Sequence, residues 1–124
     1  YATNLNNLAL LYDLQGSFTK AESMYRESLA IRKEVFGEKH PHYASSLNNL
    51  GALYESRSLF TKAEPLYKEA LAIYKDVLGN KHPSYAETLN NLGSLYSSQR
   101  LHAKAEPLYQ EALATRQAAL GEKH

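Results

Sequence analysis

The residues in this chain that could do chemistry are repeated ones. Asn6 and Asn7 recur as Asn48 and Asn49 and again as Asn90 and Asn91. Asparagine is a mediocre helix former, so a pair in mid-segment, three times over, needs a reason. A carboxamide offers both a donor and an acceptor, which suits holding a peptide backbone in an extended pose. The alternative is that the second asparagine of each pair bonds between helices and stiffens the structure. His40, His82 and His124 also recur. Histidine is the commonest metal ligand, but copies one repeat apart stand too far from each other to share an ion. His40 and His42 lack a third ligand, so helix capping or linker packing is expected, with no metal and no cofactor. Lys20, Glu22 and Glu27, with their copies, form a charged pattern. It reads as a solvated face or as ion pairs between repeats, each worth little. Catalysis fails on inventory. There is no cysteine nucleophile, no glycine-rich phosphate loop, and no grouping of Ser, His and Asp that repetition leaves unexplained. The protein is expected not to be an enzyme.

The elements that must position these residues follow from the period. Tyr1, Tyr43 and Tyr85 stand at a fixed interval of 42. "YATNLNNLALLY" aligns without gaps with "YASSLNNLGALY" and "YAETLNNLGSLY", and "KAESMYRESLA" with "KAEPLYKEALA" and "KAEPLYQEALA". Such self-similarity marks a repeat architecture. The units are 1–42, 43–84 and 85–124, one array, read as a fragment of a longer one because it opens without Met and ends inside a linker seen twice before. In each unit a first stripe (Leu47, Leu50, Leu53 and Tyr54 in the second) and a second (Ala63, Tyr67, Leu71) recur at helical spacing. The spacing predicts helices over 2–15, 18–36, 41–57, 60–78, 83–99 and 102–120, and no strand. Gly37, Gly79 and Gly121 suit a C-terminal cap with positive φ. Pro41 and Pro83 suit the first turn of the next helix. Pro65 and Pro107 fall about one turn inside the second helices, where proline costs stability or bends the helix. Of the tight turns within units, only "QGS" holds a strong breaker, Gly16. The other two must be imposed by packing.

Composition narrows the function. Hydrophobic residues are 44% and charged residues 22% of the 124, a globular balance. No apolar run approaches the roughly 20 residues of a membrane helix. The formal net charge is +1, from 14 basic and 13 acidic residues, which argues against a nucleic-acid binder. The lack of cysteine fits a reducing, cytoplasmic setting.

The pattern Leu47, Leu50, Gly51, Tyr54, then Ala63 and Tyr67, resembles the tetratricopeptide signature, as does Leu89, Leu92, Gly93, Tyr96, then Ala105 and Tyr109. The first unit has Ala9 at the small position, where two helices approach closely. The 42-residue version, with "LNNL", "KAEPLY" and "GxKHP", resembles the repeats of kinesin light chains and of related arrays in bacterial and fungal signalling proteins. The resemblance covers the whole chain. It implies an all-α helix-turn-helix solenoid, a right-handed superhelix of three antiparallel helix pairs with the first helices lining the concave face. In that family the residue after the first signature leucine faces the groove, which maps to Asn6, Asn48 and Asn90. Thr3, Leu10, Asp13, Ser45, Ala52, Glu55, Glu87, Ser94 and Ser97 occupy the other matching positions. No lysine-rich clamp for a terminal carboxylate is present. The family preference for acidic cargo is not expected here, because Asp13, Glu55 and Glu87 line the same face.

The expected function is a protein-interaction scaffold whose groove holds an extended partner segment, through Asn6, Asn48, Asn90, Asn7, Asn49, Asn91, Asp13, Glu55 and Glu87. One alternative is a structural array that stacks end to end on itself through uncapped ends. Another is the sensor segment of a larger NTP-dependent signalling protein.

Overall fold

The apolar stripes fold into six helices, seen in a computed structural model that describes residues 2–121. They are α1 (Ala2–Leu14), α2 (Phe18–Phe36), α3 (Pro41–Ser56), α4 (Phe60–Val77), α5 (Pro83–Ser98) and α6 (His102–Gly121). Among the described residues there is no strand, and no helix is long and apolar enough to cross a membrane. Each boundary lies within a residue or so of its expected place. Pro41 and Pro83 open α3 and α5, and Gly37 and Gly79 follow α2 and α4 with φ of 85° and 90°. Gly121 departs from expectation, since α6 runs through it. Pro65 and Pro107 stand inside α4 and α6 on exposed faces, and both helices continue through them.

Each unit closes as an antiparallel hairpin around a small residue. Ala9, Ala21, Ala63 and Ala105 are buried, and the Tyr67 and Tyr109 rings lie against Gly51 and Gly93. The turn within each hairpin uses one left-handed residue at the same place. Gly16, Ser58 and Arg100 have φ of 81°, 60° and 62°. In the second and third units the chain therefore accepts a conformation that a Cβ disfavours by about 1–2 kcal/mol. The packing of the hairpin imposes it, and the turn bonds Leu59 N–H to Tyr54 C=O and Leu101 N–H to Tyr96 C=O hold it.

The hairpins stack in order, α2 on α3 and α4 on α5, with Leu50, Leu53, Leu92 and Leu95 buried between them. Across the stack the backbone of α1 comes close to that of α3 and α3 to α5, whereas the backbones of α2, α4 and α6 stay further apart. The first helices are therefore the closely spaced inner layer. Their open side is the concave face.

Candidate functional site

The inner helix α3 shows how the groove arises. Tyr43, Ala44, Ser46, Leu47, Leu50, Gly51, Leu53 and Tyr54 are buried. Five of the residues left uncovered, Ser45, Asn48, Asn49, Ala52 and Glu55, follow at three- and four-residue spacing and so share one stripe. On α5 the matching stripe is Glu87, Asn90, Asn91, Ser94 and Ser97, and on α1 it is Thr3, Asn6, Asn7, Leu10 and Asp13. Three parallel stripes, small or polar but for Leu10, thus face the concave side.

The two asparagines of each pair differ in their partners. Asn48 Nδ2 donates to Thr88 Oγ1 across the α3–α5 joint at 2.9 Å. Thr88 spends its own proton on the Ser84 carbonyl, so its oxygen is free to accept and the Asn48 amide is oriented. Asn90, with Oδ1 turned toward α6, accepts from both terminal nitrogens of Arg116 at 3.1 Å. Oδ1 of Asn6 and of Asn48 is buried without a partner. Asn7 is exposed, Asn49 and Asn91 are half-exposed, and none of the three makes a side-chain hydrogen bond among the described residues. The bond between helices that the alternative reading gave to the second asparagine is made in the second and third units by the first. Which residue of a pair is drawn into the stack depends on the rotation of each inner helix about its axis, which spacing alone does not set.

The acidic positions are partly engaged. Glu55 accepts from the Tyr67 hydroxyl through Oε1 and from Ser94 through Oε2, each at 2.9 Å. Burial first, and then the Glu55 carboxylate, pushes the Tyr67 hydroxyl far above the ordinary phenol range. Asp13 lies 3.7 Å from the Arg57 guanidinium. Glu87 is exposed.

Sequence reasoning missed one set of groove residues. Arg32, Tyr74 and Arg116, again 42 apart, reach from the outer helices to the rim of the inner stripe. Arg32 is buried and donates to Thr3 Oγ1, to the His42 carbonyl and to Ser46 Oγ. Tyr74 interacts with Ser45 and Asn48. Their common register was the available signal, but the change from Arg to Tyr and back hid it.

The charged motif also resolves. Lys20, Lys62 and Lys104 place Nζ 5.4, 5.6 and 5.6 Å from the ring centres of Tyr12, Tyr54 and Tyr96 in their own units. Glu22 accepts from the hydroxyl of Tyr54 in the next unit at 2.6 Å, and Glu64 likewise from Tyr96 at 2.5 Å. These hydroxyl bonds hold both carboxylates below the usual range, assisted by Arg26 and Lys68 respectively. The joint between units is therefore latched by a tyrosine–glutamate hydrogen bond as well as by apolar packing. In the linkers, His40 Nδ1 accepts from the His42 N–H at 3.0 Å and His82 Nδ1 from the Ser84 N–H at 3.1 Å, capping α3 and α5. His124 lies outside the described residues.

The comparisons with known proteins agree with this geometry. The tetratricopeptide repeat family matches residues 1–76 and 57–118. The structure is similar to the crystal structure of BtubC (BKLC) from P. vanneervenii, with a TM-score of 0.86 and 33% identity over 94% of this chain and 46% of that one. It is also similar in fold to a Podosopora anserina protein of nearly identical TPR-like repeats named as a kinesin light chain, with a TM-score of 0.83 and 22% identity over 92% of this chain and 54% of that one. The chain thus spans about half the length of the solved proteins it resembles. No curated protein gives a significant match. Repeats of this kind are in general scaffolds for protein–protein interaction. By its hairpins, its small-residue joints and these matches, the chain belongs to the tetratricopeptide repeat family, with repeats of the kinesin-light-chain-like kind.

Proposed function

We propose that the concave face binds an extended segment of a partner protein, held chiefly by its backbone. One observation carries this reading: the uncovered stripe that the inner helices share at matching positions is largely small and polar, and it presents carboxamides with unused bonding capacity. Asn7, Asn49 and Asn91 are the free rungs. Asn6, Asn48 and Asn90 border them, and the buried, unpartnered Oδ1 atoms of Asn6 and Asn48 would gain from a partner N–H after a side-chain rotation. Among the acidic lining residues, Asp13 is countered by Arg57 and Glu55 is occupied by two hydroxyls. Glu87 therefore carries most of a preference for a neutral or basic segment, and salt weakens that preference.

A peptide array followed by titration tests the reading. Each lost carboxamide bond contributes about 0.5–1.5 kcal/mol, so replacing Asn7, Asn49 and Asn91 together by alanine lowers affinity by about one to three orders of magnitude. Folding stability changes little, because none of the three is bonded within the stack. Unchanged affinity for a peptide bound by the unaltered chain would refute the clamp.

A further inference from the structure

Pro65 and Pro107 stand exposed inside the second helices and serve nothing on the concave face. Pro65 belongs to the outer side of a joint. A groove of about 390 Å³ runs there between α2 and α4, with Leu50 and the Tyr54 ring on its floor and Leu29, Leu66 and Pro65 on its walls. Pro65 has no N–H to give the Thr61 carbonyl one turn back. That carbonyl, on an exposed residue of the same wall, therefore lacks its ordinary helical donor. Two cations stand by the floor. Arg26 Nη2 donates to the Tyr54 hydroxyl at 2.5 Å, and Lys62 Nζ lies 5.6 Å from the centre of the same ring. Glu22 lies 3.5 Å from Arg26, whereas Lys62 has no carboxylate within ion-pair distance among the described residues. One carboxylate beneath two cations leaves the groove positive.

The joint between α4, α5 and α6 repeats the arrangement. Lys68 lies 3.2 Å from Glu64, Glu64 accepts from Tyr96, and Lys104 Nζ lies 5.6 Å from the centre of the Tyr96 ring. Lys104 also lacks an ion-pair partner among the described residues, and Pro107 has no N–H for the Ala103 carbonyl. Each joint thus sets side by side an apolar wall, a cation without an ion pair and a carbonyl without its helical donor. An acidic residue near an apolar one complements all three: its carboxylate meets the cations, its backbone N–H the carbonyl, and the apolar side chain the leucines. We propose that the outer groove of each joint is a second docking surface, for a segment of a partner protein that presents a glutamate or aspartate beside an apolar side chain. Its charge preference is opposite to that of the concave face, so the two faces take different segments.

In an extended segment, residues two positions apart face the same side. The probe is therefore the capped peptide acetyl-Ala-Leu-Ala-Glu-Ala-amide, and its comparison carries glutamine in place of the glutamate. Each is titrated into the isotope-labelled chain and followed by NMR. The amides of α4 between Thr61 and Leu66 and of α6 between Ala103 and Leu108 shift, while those of Asn49 and Asn91 do not. The glutamate peptide binds several-fold tighter than the glutamine one at low salt, and the gap closes as salt rises. Lys62→Gln closes the gap at the first groove and leaves it at the second. Pro65→Ala returns an N–H to the Thr61 carbonyl, so it raises thermal stability and weakens the peptide several-fold at the first groove. Both positions are exposed, and circular dichroism checks that each variant stays helical. Shifts on the concave stripe, equal binding of the two peptides, binding of neither, or a Lys62→Gln variant that keeps its preference for glutamate would overturn the proposal. The same shifts produced by inorganic phosphate alone, or by raising the concentration of the chain without peptide, would give the grooves to a free anion or to a second copy instead. A Pro65→Ala variant that gains stability yet binds unchanged would overturn the role of the Thr61 carbonyl.

Discussion

Replacing Gly51 by alanine should destabilise the array, and the same change at Gly93 should not. A methyl carbon at Gly51 would stand 2.9 Å from Cε1, 3.0 Å from Cδ1 and 3.3 Å from Cζ of Tyr67. Carbon atoms in good packing keep about 3.5–4.0 Å, so the ring must move. It has nowhere to go, since it is buried and its hydroxyl is tied to Glu55. Overpacking of this kind costs about 1–3 kcal/mol, while alanine in place of a mid-helix glycine returns about 1 kcal/mol. The net loss at Gly51 is about 0–2 kcal/mol. At Gly93 the methyl would meet the Tyr109 ring at 3.0–3.2 Å. That ring is 40% exposed among the described residues, so it swings away, and the propensity gain of up to about 1 kcal/mol survives. The first unit shows that the joint tolerates a methyl when its ring is placed for it, for Ala9 sits there fully buried beside Tyr25. Urea unfolding of both variants at low protein concentration, followed by circular dichroism, gives the comparison. Gly93→Ala should be the more stable of the two by about 1 kcal/mol or more. Equal effects, or a Gly51→Ala variant more stable than the unaltered chain, would refute the reasoning.

Ser58→Gly and Arg100→Gly relieve the left-handed turn residues, and each should raise stability by about 0.5–1 kcal/mol in thermal unfolding, while Gly16→Ala should lower it by a similar amount. His82→Ala removes the cap of α5 and should cost about 0.5–2 kcal/mol, whereas His82→Ser, another side chain able to accept from the same N–H, should recover most of it. The carboxylates of Glu22 and Glu64 are held below their ordinary range by tyrosine hydroxyls. For such groups the stabilisation is complete above the unfolded carboxylate range and is lost as pH falls through the lowered native value. Melting temperature should therefore drop as the solution is acidified below about pH 4.5, and the double variant Glu22→Gln, Glu64→Gln should show a shallower drop.

The secondary structure was legible from the chain alone because its signals are local. Leucine and tyrosine at helical spacing, Gly37 and Gly79 after the second helices, and Pro41 and Pro83 at the next starts act within one turn of where they stand. The repeat told which helices are equivalent, and the family resemblance which layer faces inward. Three features were settled only by the stacked structure. Ser58 and Arg100 carry no turn signal, yet they take the conformation of Gly16 because the packed hairpin leaves the chain no other path. Glu22 pairs with Arg26 one turn along its own helix at 3.5 Å, but its shorter hydrogen bond comes from Tyr54, 32 positions away on the next hairpin, a partner that only the stack brings to its carboxylate. The asparagine pairs were visible as a recurring anomaly, but their roles were not. Adjacent helical residues point about 100° apart, so a small rotation of α3 within the stack decides that Asn48 reaches Thr88 while Asn49 is left facing the groove. That rotation is set by the leucines and tyrosines packed behind it, whose contacts come from neighbouring units and are not written in the spacing of any one of them.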